Sequence, residues 1–146
     1  MKKTSIVIAS GLLAALASMN SIAKDDTLHF PLQDVIDSPE GKAALDGSVK
    51  FYLDGAPHGA VKKTLGSDTS NKKTNGFNKG DKEGCDRAAL SALIAFQAKA
   101  KQNGANAVIN IISYYKKVES KSATDYECHN GGVIVGVTLK GDYAEL

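Results

Sequence analysis

Apolar residues recur at three- and four-residue spacing through Cys85, Ala89, Ala92, Leu93, Phe96 and Ala100. That spacing stacks them on one face of a 3.6-residue repeat and predicts an amphipathic helix. Arg87, Ser91, Lys101 and Gln102 fall on the other side, and the segment is rich in alanine, the best helix former. Leu90 and Ile94 widen the apolar stripe and leave room for a second contact surface. Gly80, with Glu83 three residues on, or Asp81 can cap the start. Asn103-Gly104 ends the helix, because glycine takes the left-handed C′ conformation without a Cβ clash. Residues 107–115 then read as a strand that is apolar on both faces. Val108, Asn110, Ile112 and Tyr114 lie on one, and Ala107, Ile109, Ile111, Ser113 and Tyr115 on the other. Such a strand is central, or is covered on its second side by a partner chain. Val133, Val135, Val137 and Leu139 alternate with Ile134, Gly136, Thr138 and Lys140, which predicts a half-buried strand antiparallel to the previous one, with residues 143–146 as its extension.

The remaining segments frame this centre. Residues 24–47 read as an N-terminal adaptor. Leu28, Phe30 and Leu32 alternate as a short strand, and Pro31 suits an edge. Ser38-Pro39-Glu40 starts a short helix, with serine as cap and proline at the first position, and Asp46-Gly47 ends it. Val49, Phe51 and Leu53 point inward from a further strand, and residues 55–59 form a turn around Pro57. Val61 and Leu65 with their threonines allow a strand running on through residues 67–74. From residue 71 to 84 the chain is mostly Asn, Lys, Gly and Asp, which reads as a mobile surface loop with Phe77 as a candidate plug. Residues 116–132 read as a long polar connection. The expected fold is α+β: an antiparallel sheet of about four or five strands, one long helix packed on it, and a short N-terminal helix. One helix covers one sheet face. The adaptor, or a second copy of the chain, must cover the other, and the adaptor is the expected cover because its apolar run has no other place to pack.

Residues 1–23 change the charge argument. Lys2 and Lys3, an apolar run from Ile6 to Ala17, and Ser21-Ile22-Ala23 have the form of a signal peptide cleaved before Lys24. The run is short for a membrane span, and no cysteine stands at the cleavage site to take a lipid, so no stable membrane anchor is expected. The expected organisation is a signal peptide at 1–23 and a single α+β domain at 24–146, with an adaptor at 24–47 and a core at 48–146, secreted to the periplasm. The whole chain has 18 basic and 16 acidic residues. Removing Lys2 and Lys3 leaves 16 of each and a formal charge of zero, which gives no reason to expect nucleic acid as a partner.

Candidate chemistry is sparse. Two cysteines in a secreted chain predict one disulfide, Cys85 to Cys128, the alternative being a redox or nucleophilic role for which His129 is the one neighbouring base. His29, His58 and His129 are candidate metal ligands, without the paired spacing of a zinc motif. Gly131 and Gly136 have the phosphate-loop spacing, but Val137 stands where the lysine must be. There is no G-x-S-x-G. No catalytic residue and no cofactor are expected. Tyr114, Tyr115, Tyr126 and Tyr143 read as packing or as an aromatic ligand surface.

The run Gln102-Asn103-Gly104-Ala105-Asn106-Ala107-Val108-Ile109-Asn110-Ile111, between an alanine-rich helix and a valine-rich last strand, resembles the small bacterial YbjQ/RcsF type of α/β domain over residues 61–139. More closely, Lys50-Phe51-Tyr52, Lys63-Thr64-Leu65-Gly66, Asn71-Lys72-Lys73-Thr74-Asn75, Ser91-Ala92-Leu93-Ile94 and Ser113-Tyr114-Tyr115-Lys116-Lys117 resemble a family of small secreted bacterial proteins often labelled "excinuclease ATPase subunit", over nearly all of residues 24–146. That label implies an ATPase of DNA repair. The YbjQ-type resemblance implies an oligomer and heavy-metal binding, and RcsF-like proteins are envelope-stress sensors with disulfides and a lipid anchor. Residues and resemblance together lead us to expect a non-enzymatic periplasmic binding or interaction module, acting with a protein partner or as a homo-oligomer in envelope homeostasis. The alternative is a small-ligand or heavy-metal-binding protein.

Overall fold

The computed structural model describes residues 24–146; the signal-peptide assignment falls on residues 1–23 and lies outside them. In order, the elements are β1 (Asp26–Pro31), α1 (Leu32–Asp37), α2 (Pro39–Ala44), β2 (Lys50–Leu53), β3 (Lys63–Asn75), α3 (Asp81–Gln102), β4 (Ala107–Ser113), β5 (Asp125–Asn130) and β6 (Ile134–Glu145). The long helix α3 follows the apolar stripe: Cys85, Ala89, Ala92, Leu93, Phe96 and Ala100 are all buried. Gly80 is its N-terminal cap residue, and at the other end Gly104 takes a φ of 73°. The stripe's small side chains bring α3 close enough to the sheet for Ser70 Oγ of β3 to donate to the carbonyl of Ala92.

The six strands form one curled sheet with β6 at its centre. On one side β3 pairs antiparallel along the length of β6. On the other side, β6 pairs with β5 at Val135 and Gly136, then with β4 from Leu139 to Ala144. The two branches end in β1, paired with β5, and β2, paired with β4. Ser113 Oγ stitches the fork by accepting from the Glu127 N–H at 2.8 Å.

Several expectations need correction. The sheet is mixed, not antiparallel, and has more strands than expected. β2 runs parallel to β4, because β3 takes the far edge of β6 and α3 carries the chain back before β4 enters. The supposed loop after residue 71 is strand as far as Asn75 and helix from Asp81, and Phe77 is 62% exposed, so it plugs nothing. The polar connection 116–132 contains β5, in which Tyr126, Cys128 and Asn130 point inward. Leu32 opens α1 rather than ending a strand; α2 follows with Ser38 Oγ accepting from the Gly41 N–H at 2.9 Å. The adaptor does not cover the second sheet face. β1 joins the sheet, while α1 packs on α3 and places Leu32 and Val35 in the main core.

The alternation in β4 also breaks. Ile109 faces Asp142 and Ile112 faces Lys140, so Asn110 and Ile111 together oppose Gly141 in a bulge. Asn110 reaches it with a φ of 52° and donates from Nδ2 to Asp142 Oδ2 at 3.0 Å. Val108 and Ile111 therefore share the helix side, whereas Ala107 and Ile109 join Ala144 in a small second cluster against Tyr52 and Leu146. A second bulge at Leu65 and Gly66 of β3 lies opposite Tyr143. The two bulges thus face β6 within three residues, at Gly141 and Tyr143.

Candidate functional site

The two arms of the curled sheet leave an opening between their free ends. β1 ends at Pro31 and β5 begins at Asp125; across from them stands β2, four residues long and, among the described residues, paired on one side alone. Between these ends lies a depression of about 590 Å³, walled by Pro31, Leu32 and Asp125 on one side and by Phe51, Tyr52, Ala56 and Pro57 on the other. A second depression of about 440 Å³ continues it past Ile36 and Leu45 to Lys42 and Lys50, and Gln33, Ile36, Phe51 and Tyr52 line both. Local chemistry explains the walls. The Ser38 cap lets α1 and α2 follow one another without a linker, and Gly41 permits the tight junction, since a Cβ there would stand 2.0 Å from the Val35 carbonyl oxygen. Asp46 anchors the far wall: its backbone N–H donates to Gln97 Oε1 at 3.0 Å, and its carboxylate is held by Lys101 and Ser48. The Lys101 ammonium, then Ser48, keep that carboxyl well below the usual carboxylate range.

A polar cluster lies elsewhere, on β1 and β5. Glu127 accepts from His129 Nε2 at 2.5 Å, and its other oxygen is 3.5 Å from His29 Nε2. Tyr115 stacks on His129 with ring centroids 3.6 Å apart, and Lys116 lies over Tyr115. Burial works against the Glu127 charge, but hydrogen bonds from His129 and Ser120 and the nearness of both imidazoles prevail, holding the carboxyl below its ordinary range. His58 is not part of this cluster; it packs on Tyr52 with centroids 5.5 Å apart. The histidine candidates thus divide, two flanking one carboxylate and one standing apart. Among the described residues no group of three or more His, Cys, Asp or Glu side chains is arranged to hold a metal ion.

The other named candidates are structural in placement. Cys85 and Cys128 form a disulfide, Cα atoms 5.8 Å apart, that ties α3 to β5 in the core. Tyr126 is fully buried and donates to Asp86 Oδ1 at 2.6 Å; Asp86 also takes Lys82, which reaches Asp34 of α1. Burial first, and then Asp86, push the Tyr126 hydroxyl far above its usual range, so it remains a proton donor. Tyr143 is buried against Phe96, and Tyr114 lies beneath Lys140. The sequence reading missed Glu127 and the open edge of β2. Residues 125–130 do alternate, with Tyr126 and Cys128 inward and Glu127 and His129 outward, and that period marks the carboxylate–imidazole pair.

No known protein family matches the chain, and no curated protein is similar to it. Among the described residues no helix is long and apolar enough to cross a membrane.

Proposed function

We propose that this protein is a non-enzymatic binding module of the periplasm, acting in envelope homeostasis, and that the groove beside β2 is its working surface. One observation carries the reading: the groove is apolar at its centre, through Ile36, Phe51, Ala56 and Pro57, and charged only towards its ends. Concave apolar surfaces with a few polar groups are where proteins take ligands. The reactive side chains, by contrast, are engaged within the fold: both thiols in the disulfide, and the buried tyrosine with Asp86. Titration with 1-anilino-8-naphthalenesulfonate followed by amide NMR tests the assignment. Shifts should cluster at Ile36, Phe51, Tyr52 and Ala56, and Ala56→Trp should abolish them. Shifts gathered on the β1–β5 face instead would overturn it.

A second reading, a heavy-metal-binding protein, has one observation in its favour: His29 and His129 flank the same carboxylate. Zinc titration by calorimetry tests it. Stoichiometric binding lost in His129→Ala would support it, and the absence of binding would remove it.

A further inference from the structure

We propose that the groove takes an extended peptide segment of a partner protein, added as a further strand to the open edge of β2. This rests on the reading of the groove as the binding surface. The Lys50 N–H donates to the Asn106 carbonyl at 3.0 Å and the Asp54 N–H to the Ile111 carbonyl at 2.9 Å. Main-chain groups along a strand point alternately to its two neighbours, so Lys50, Tyr52 and Asp54 serve β4 while Phe51 and Leu53 turn to the open side. The Leu53 carbonyl is taken by the Ala56 N–H at 2.9 Å. Among the described residues Phe51 N–H, Phe51 C=O and Leu53 N–H remain without a partner, in the spacing that one added strand pairs with.

The contrast with the other edges is physical. Edge strands are blunted by proline and charge. β1 ends in Pro31, and β3 carries Lys63, Asp68, Lys72 and Lys73. β2 has no such guard along Phe51–Leu53 and is walled by apolar side chains instead. Charge then selects the occupant. Lys42 and Lys50 sit at one end of the groove and make no ion pair among the described residues, whereas Asp46 beside them is neutralised by Lys101. Asp37, bonded to Gln33, is the one other carboxylate at that end. The segment therefore has apolar side chains at alternate positions and an acidic residue at the Lys50 end. A bonding edge of four residues suits a peptide; a stable dimer of two copies buries about 1,200 Å² or more.

Panning the purified protein against a phage-displayed library of random linear decapeptides tests this. Enriched sequences should alternate apolar and polar residues and carry Asp or Glu at one end. A synthetic winner should shift the amides of residues 50–54. N-methylation of the peptide amides that face β2 should weaken binding at least tenfold, with little effect at the intervening amides, and Lys50→Glu should weaken it at least fivefold. Winners with helical spacing, shifts elsewhere, no enrichment, or indifference to N-methylation would overturn the proposal; so would self-association of the protein through β2. If the naphthalenesulfonate probe occupies the groove and no peptide does, the strand-addition proposal falls and the groove reading stands. If neither binds there, both fall.

Discussion

Gly141 shows how one residue sets the shape of the sheet. It opposes the β4 bulge, and a Cβ on it would stand 2.7 Å from Val108 Cγ1 and 3.1 Å from Ile111 Cγ1. Gly141→Ala should cost about 1–3 kcal/mol, the usual penalty of overpacking a core, read as a lower urea midpoint. Tyr126→Phe removes a buried hydrogen bond to the Asp86 carboxylate and should cost about 1.5–3 kcal/mol by the same measurement. Glu127 makes a pH prediction. Its carboxyl titrates below its ordinary value of 4.5 in the folded chain, so its contribution is present above that value and is lost as pH falls through the folded value. Stability curves of the wild type and Glu127→Gln should therefore be separated at neutral pH and draw together as pH falls below about 4.5. Equal separation at pH 3 and pH 7 would contradict this.

At the level of elements, legibility followed apolar contrast. α3 was legible because its stripe, its glycine stop and its core face coincide in Cys85 to Gly104. β6 and its antiparallel pairing with β4 were legible from the alternation of Val133, Val135, Val137 and Leu139, although residues 135–139 are buried on both faces and the alternation predicts a half-buried strand. β3 was legible only in part: Ser70 alone is buried among its 13 residues, so its lysines and asparagines carry no period that separates strand from loop. β5 hid for a related reason, its inward residues being a tyrosine, a cysteine and an asparagine. The direction of β2 is set by where β3 and α3 travel, which no local pattern in Val49 to Leu53 encodes. The disulfide was readable from the cysteine count together with the expectation of secretion. It closes a 43-residue separation between α3 and β5, for which the loop-entropy relation gives roughly 4 kcal/mol. Cys85→Ala should lower the unfolding free energy by up to that amount in denaturant titration while leaving the helical circular dichroism of the native chain in place.

For the whole molecule, the sequence located two histidines of the polar cluster and the strand that walls the groove, but not the groove itself. The opening exists because both arms of the sheet curl towards one another and stop short, with α1 and α2 packed beside the gap. The alternation of Val49, Phe51 and Leu53 predicts three inward residues. Leu53 is buried, whereas Phe51 is half-buried at the groove wall, where β2 pairs only with β4 among the described residues. Amide hydrogen exchange of the unliganded protein tests this openness most directly. The Tyr52 and Asp54 amides, bonded to β4, should exchange slowly, and those of Phe51 and Leu53 should exchange faster by at least tenfold. Equal protection along residues 51–54 would mean that the edge is already covered, and would contradict a binding surface there.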